Sequence, residues 1–220
     1  MATSVPTTAG TVHRDRGEAF LEWVRQHRQF VSWAATILVI GAGLFGWKLL
    51  STRQSERTAS QQLNSARFAL DAKNFALAAS ELSRIAENYS GTRSANEASL
   101  LLAQVRLAQG QSQQAIQVLK DFAPGAAPAY KAQAYALLGA AYENLAHPRE
   151  AGEAYEEAAR NARMPFLRAG FLSDAGRAWL AAGDTAHARS LYQEIVTKLD
   201  STPAVFEAKA RLGELTRGSN

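Results

Sequence analysis

The chain has 220 residues and a formal net charge of +4, and 47% of its residues are hydrophobic, which excludes wholesale disorder. It contains 44 Ala against 9 Val and 5 Ile, and because Ala favours helices while β-branched residues favour strands, this ratio predicts an all-α protein. The absence of Cys excludes disulfides and thiolate metal sites, and the basic residues form no dense run of the kind that nucleic-acid binding requires.

An uncharged apolar segment near the N-terminus divides the chain. Residues 29–47 carry no charge, and the stretch 30–50 would form a helix of about 31 Å, close to the thickness of a bilayer core. The region before the segment is long and partly acidic, and no small-x-small motif follows it, which disfavours a cleaved signal peptide. We predict a head with a juxtamembrane helix at 1–28, a transmembrane helix at 29–50 and a further domain at 51–220.

The glycines of this segment allow a competing interpretation. Residues 41–46 fit the G-x-G-x-x-G pattern of dinucleotide-binding proteins, but neither a second strand nor an acidic residue follows at the required distance. Ala42 and Gly46 instead predict a small-residue contact between membrane helices. Four basic residues precede the segment and three follow it closely, a slight bias towards an N-terminus on the cytoplasmic side.

A pattern with a period of 36 to 37 residues fills the rest of the chain. Its clearest unit, 132–165, matches the tetratricopeptide pattern W-x2-L-G-x2-Y followed by A-x3-F in residue type and spacing. The small anchor position recurs at Ala66, Ala103, Gly139 and Gly176. These spacings predict a tetratricopeptide-like α-solenoid of about four helix pairs, and Gly213 in the same frame predicts a final capping helix.

Small and aromatic residues at fixed places in each unit are predicted to pack the two helices of a pair against each other. These repeat-packing positions are Ala66, Ala78, Ala103, Ala115, Tyr135, Leu138, Gly139, Tyr142, Ala151, Tyr155, Gly176, Trp179, Ala188 and Tyr192.

No group of residues has the spacing of a catalytic or metal site. The four His residues are not paired with one another at i, i+4, and the acidic residues between 150 and 157 are typical of a solvated helix face. We therefore predict that the protein is not an enzyme and has no catalytic residue, cofactor, metal ion, small-molecule substrate or nucleic-acid partner.

A solenoid offers a concave groove lined by the first helix of each pair. The residues projected onto this protein-binding groove are Leu63, Arg67, Leu70, Leu100, Gln104, Leu107, Gln133, Glu143, Arg177 and Leu180, and Ser60 and Glu97 project onto the same face. The four leucines of the first two units have two interpretations: an apolar strip that contacts a partner, or ordinary packing against neighbouring helices. The sequence does not choose between them.

Two stretches resemble one bacterial family. Glu18-Ala19-Phe20 through Trp23, and the run Val39-Ile40-Gly41-Ala42-Gly43-Leu44-Phe45-Gly46-Trp47-Lys48, are similar to the ancillary subunit of the SecYEG translocon. That family has a short cytoplasmic head, one membrane helix and a periplasmic tetratricopeptide domain.

The resemblance implies a single-pass protein of the bacterial inner membrane with its N-terminus in the cytoplasm and its C-terminal domain in the periplasm. It implies a scaffold beside the translocon that contacts secreted client chains and periplasmic chaperones. Two alternatives remain open: a factor for another envelope complex, such as the outer-membrane or cell-division machinery, and a membrane adaptor whose solenoid faces the cytoplasm.

Overall fold

The computed structural model describes residues 23–217, without the side chains of Ala34, Ala35, Leu44–Gly46, Lys48 and Leu49. The head up to residue 22, with the motif residues Glu18-Ala19-Phe20, and the predicted contact at Gly46 therefore lie outside the described residues. The chain divides into two compact units between Thr52 and Arg53. The described residues form helices and turns and contain no strand, as the Ala-rich composition predicts.

The helices follow the predicted repeat. They are α1 Arg28–Asp71, α2 Phe75–Asn88, α3 Arg93–Ala108, α4 Ser112–Phe122, α5 Lys131–Asn144, α6 Pro148–Asn161, α7 Pro165–Ala181, α8 Thr185–Lys198 and α9 Ala204–Arg217, with a 3₁₀ turn at Ala123–Gly125 after α4. In the second unit, the C-terminal part of α1 and the helices up to α8 form four successive pairs, and α9 packs on α8 and α7 as a last helix. The predicted solenoid with a capping helix is confirmed.

The first unit contains the N-terminal part of α1. Large apolar side chains are exposed there, and Ile37, Leu38, Val39 and Ile40 have 56–73% of their surface accessible. Measured over the described positions, no helix is both long enough and apolar enough to cross a membrane. The predicted transmembrane helix is therefore not supported among these residues.

Each turn within a pair has one residue in the left-handed region. These residues are Lys73, Gly110, Ala146 and Gly183, with φ between 56° and 82°. The left-handed conformation ends the first helix of a pair and returns the chain for the second. The turns therefore recur with the same period as the anchor positions, although only two of them use Gly.

The anchor positions lie where the two helices of a pair cross. Ala66 and Ala103 are fully buried. A Cβ atom on Gly139 would lie 2.8 Å from the ring of Tyr155, and one on Gly176 would lie 2.7 Å from the ring of Tyr192. No side chain fits at these two positions without displacing a buried ring.

The residue opposite each anchor shows the same regularity. Leu82, Leu119, Tyr155 and Tyr192 occupy equivalent places in the second helices, and all four are buried. The first two units thus combine Ala with Leu, and the last two combine Gly with Tyr. Where the anchor is the smaller Gly, the residue opposite it is the larger Tyr, so the crossing of the two helices stays filled.

The other repeat-packing positions are also in the core. Ala78, Ala115, Ala151 and Ala188 are fully buried, and Trp179 is 6% exposed. Tyr135 and Tyr142 are only partly buried and pack against the cluster around Leu119 and Leu138. The side chains of these two residues therefore reach the surface as well as the core.

Candidate functional site: a groove across α1, α3 and α5

Two adjoining cavities lie along the first helices of the first three pairs. One, of about 330 Å³, lies between α1 and α3, and the other, of about 240 Å³, lies between α3 and α5. Both are lined by Arg93 and Glu97 of α3, so the two cavities adjoin and form one groove. The remaining lining residues are Glu56, Ser60, Leu63, Asn64, Arg67 and Ser94 in the first cavity and Leu100, Leu101, Gln104, Tyr130 and Gln133 in the second.

Glu56 of α1 binds the N-terminus of α3. Its carboxylate accepts hydrogen bonds from the backbone N–H of Arg93 at 2.7 Å and of Ser94 at 3.1 Å, and from the Ser94 hydroxyl at 2.6 Å. The first N–H groups of a helix have no partner within the helix, and a negative charge at that end is favoured by the helix dipole. Glu56 therefore joins the first two repeats by capping α3.

The groove is lined by two Arg and two Glu side chains, so its charges sum to zero. Arg67 of α1 forms an ion pair with Glu97 of α3, and the Arg93 guanidinium donates a hydrogen bond of 3.3 Å to the Tyr130 hydroxyl. The neutral residues Ser60, Asn64, Gln104 and Gln133 are exposed in the same groove. The groove thus presents amide and hydroxyl groups between charges that neutralise each other.

The leucines of the predicted apolar strip belong to the core. Leu63 is 3% exposed and Leu100 is 4% exposed, while Leu70 and Leu107 are partly buried against the same core clusters. Of the two interpretations of these leucines, their burial favours packing against neighbouring helices. Neighbouring helices cover Leu63 and Leu100, whereas Arg67 and Gln104, one turn further along the same helices, are exposed.

The remaining predicted positions form a polar network between the third and fourth pairs. Arg177 of α7 contacts the Glu143 carboxylate of α5 at 2.6 Å and the Asp174 carboxylate at 3.0 Å. Tyr155 of α6 donates a hydrogen bond of 2.8 Å to the other oxygen of Glu143. Burial raises the pKa of Asp174, and its hydrogen bond to Arg177 opposes that shift. Leu180 is partly buried against the C-terminal core.

The phenol of Tyr155 makes the stability of the protein sensitive to alkaline pH. Burial, together with the hydrogen bond to Glu143, raises its pKa. Above about pH 10 the tyrosine ionises in the unfolded chain but stays protonated in the native state, so the native state binds more protons and stability falls as the pH rises. For this one group the loss is at most about 1.4 kcal/mol per pH unit.

We therefore expect Tyr155→Phe to cost about 1 kcal/mol at pH 7, through the lost hydrogen bond, and to lose less stability than the wild type above pH 10. Urea unfolding at a series of pH values measures both effects. Part of the alkaline slope should persist, because burial also raises the pKa of Tyr135 and Tyr192. Equal slopes for variant and wild type would contradict the assignment of this effect to Tyr155.

A family model described as a tetratricopeptide repeat-like domain matches residues 51–169. The chain belongs to this family. The match begins two residues before the second compact unit and covers all of the groove. A search of curated protein sequences finds no significant match.

Solved structures show the same fold. The nearly identical TPR-like repeats of a kinesin light chain of Podosopora anserina superpose with a TM-score of 0.56 at 19% identity, over 75% of this chain and 88% of theirs. The MamA RS-1 ArsTM double mutant superposes with a TM-score of 0.50 at 17% identity, over 88% of this chain and 96% of its own. At these identities the likeness concerns the tetratricopeptide fold alone.

Six lining residues of the groove were not identified from the sequence: Glu56, Asn64, Arg93, Ser94, Leu101 and Tyr130. Glu56 and Arg93 could have been found, because each lies four residues before a projected groove position, Ser60 and Glu97, on the same helix face. Tyr130 precedes the first residue of α5, so a helical projection does not place it.

Proposed function

We propose that this tetratricopeptide protein is a scaffold that holds an extended segment of a partner protein in the groove across α1, α3 and α5. The observation that carries the proposal is the continuity of the groove: two cavities share Arg93 and Glu97, and exposed amides lie on both sides of them. An extended segment needs partners for its free N–H and C=O groups. Asn64, Gln104 and Gln133 each offer a donor and an acceptor.

The pairing of charges in the groove favours a segment without strong net charge. Arg67 and Glu97 neutralise each other, and the Glu56 carboxylate is occupied by the N-terminus of α3. Recognition therefore rests on hydrogen bonds to the main chain of the partner, with Leu100 and Leu101 as an apolar part of the lining.

A photo-crosslinking residue placed at Gln104 or Gln133 tests this proposal in the intact cell. We expect crosslinks to protein partners at both positions. The double variant Gln104→Ala/Gln133→Ala should reduce capture of the same partners by the full chain about tenfold, because each amide hydrogen bond contributes about 0.5–1.5 kcal/mol.

A matched control uses Gln113, an exposed glutamine of α4, which is the second helix of its pair. Gln113 does not line the groove. Crosslinks from Gln113 that equal those from Gln104 would show that capture is not specific to the groove, and the proposal would fail.

We further propose that the scaffold is attached to the bacterial inner membrane and acts beside the SecYEG translocon on secreted chains and periplasmic chaperones. The support is the uncharged stretch 29–47 and the exposure of the four consecutive apolar residues from Ile37 to Ile40. Four consecutive helical residues point to all sides, so the helix there needs apolar surroundings on its whole circumference. The family resemblance supplies the translocon as the partner.

Reporter fusions that measure membrane topology, and affinity purification of partners, test the proposed role beside the translocon. A phosphatase fused after Asn220 should be active, and a fluorescent protein that matures only in the cytoplasm should be dark at the same place. Affinity purification from membranes should recover translocon subunits. Fluorescence of the cytoplasmic reporter would favour an adaptor that faces the cytoplasm. Recovery of other envelope machinery would favour an assembly factor. Either result would overturn the translocon role.

A further inference from the structure

A third cavity, outside the groove, lies between α4, α5 and α6. It measures about 500 Å³, and its apolar part is formed by Leu138 together with the two half-buried rings of Tyr135 and Tyr142. Tyr135 and Tyr142 pack against the core cluster with part of each side chain and line the cavity with the rest. The rings therefore form an aromatic surface that is open to an incoming group.

Carboxylates of α6 line one wall of this cavity. Glu150, Glu153 and Glu157 follow each other at i, i+3 and i+7, a spacing that places them on one face of the helix. Glu157 is paired with Arg160 at 2.9 Å and Glu150 contacts His147 at 3.3 Å, but no cation among the described residues forms an ion pair with Glu153.

The lining has an excess of negative charge. Three carboxylates face two cations, Lys120 and Arg160, and the second of these is already bound to carboxylates of its own helix. The pKa of Tyr135 is raised by burial and by the negative charge of Glu157. A negative wall beside two phenol rings is complementary to a planar cation, which can gain both an ion pair and a cation–π contact.

We propose that this cavity is a second docking site, separate from the groove, that takes the arginine side chain of a partner protein. The guanidinium lies over the rings of Tyr135 and Tyr142, and its N–H groups bind Glu153. The site would fix the partner's register on the solenoid by one charged anchor, whereas the groove holds its main chain.

Arginine amide serves as the probe, with its neutral isostere citrulline amide as the matched ligand. The full chain is labelled with 3-fluorotyrosine, and the signals of Tyr135 and Tyr142, assigned by replacing each with Phe, are followed by ¹⁹F NMR. We expect saturable shifts of both signals with arginine amide and about tenfold weaker binding of citrulline amide.

Two substitutions with opposite expected effects on binding distinguish a change of charge in the site from damage to the fold. Glu153→Gln should weaken binding of arginine amide about threefold, and Lys120→Ala should strengthen it about threefold by removing a repulsive charge. General damage to the fold would weaken binding in both variants. Gln104→Ala in the groove should leave binding unchanged, so the result does not depend on the proposed groove function. Equal binding of the two amides, or no response to either charge substitution, would overturn the proposal.

Discussion

Replacing Leu100 and Leu107 with Ser should destabilise the protein by about 4 kcal/mol or more, although both residues were projected onto a binding groove. Leu100 is 4% exposed in the cluster that joins α3 to α4 and α5, and Leu107 packs against the same cluster. Truncating a buried Leu removes apolar contacts and leaves a cavity, and a buried hydroxyl without a partner adds to the cost. Urea unfolding followed by far-ultraviolet circular dichroism measures the loss.

Gln104→Ser provides the control on the same helix. Gln104 lies between the two leucines in sequence and is exposed, so this substitution should change the free energy of unfolding by less than about 1 kcal/mol. If the leucine variant were as stable as this control, the two leucines would not be core residues, and the structural placement of the strip would be wrong.

The second large effect is expected at the crossing of α5 and α6. A Cβ on Gly139 would lie 2.8 Å from the Tyr155 ring, which is itself buried and hydrogen-bonded to Glu143. Gly139→Leu should therefore destabilise the protein by about 3 kcal/mol through overpacking. Gly213 occupies the same frame in α9, but its Cβ would meet no atom within 4 Å. Gly213→Leu should be neutral or stabilising, because Leu has the higher helix propensity.

A compensating change separates overpacking from other effects of the substitution. The first two units combine Ala with Leu where the third combines Gly139 with Tyr155. Gly139→Ala alone should be destabilising, and adding Tyr155→Leu should recover part of the loss, since the double variant has the Ala–Leu pair of the other crossings. If the two costs simply added, the crossing would not be limited by the volume of the ring.

Repetition explains why the sequence determined so much of the fold. The anchor spacing of 36 to 37 residues, the Ala-rich composition and the absence of strand-forming segments were sufficient for the helix pairs, the turns and the capping helix. Each repeat contacts chiefly its neighbours, so a local pattern that recurs in phase defines the whole solenoid. The exchange of Ala with Leu for Gly with Tyr is likewise visible in the sequence once the period is known.

The candidate site was less predictable from the sequence than the fold, because it depends on contacts between helices. A helical projection gives the face of a residue, but it does not give the depth to which neighbouring helices cover that face, so it does not show that Leu100, which lines the groove, is only 4% exposed. The cap that Glu56 provides for α3 joins residues 37 positions apart, and the contact of Arg177 with Glu143 joins residues 34 positions apart. Such pairs meet only because stacking brings equivalent turns of successive repeats together, and the free energy that selects them comes from burial and hydrogen bonding between helices, which no single helix encodes.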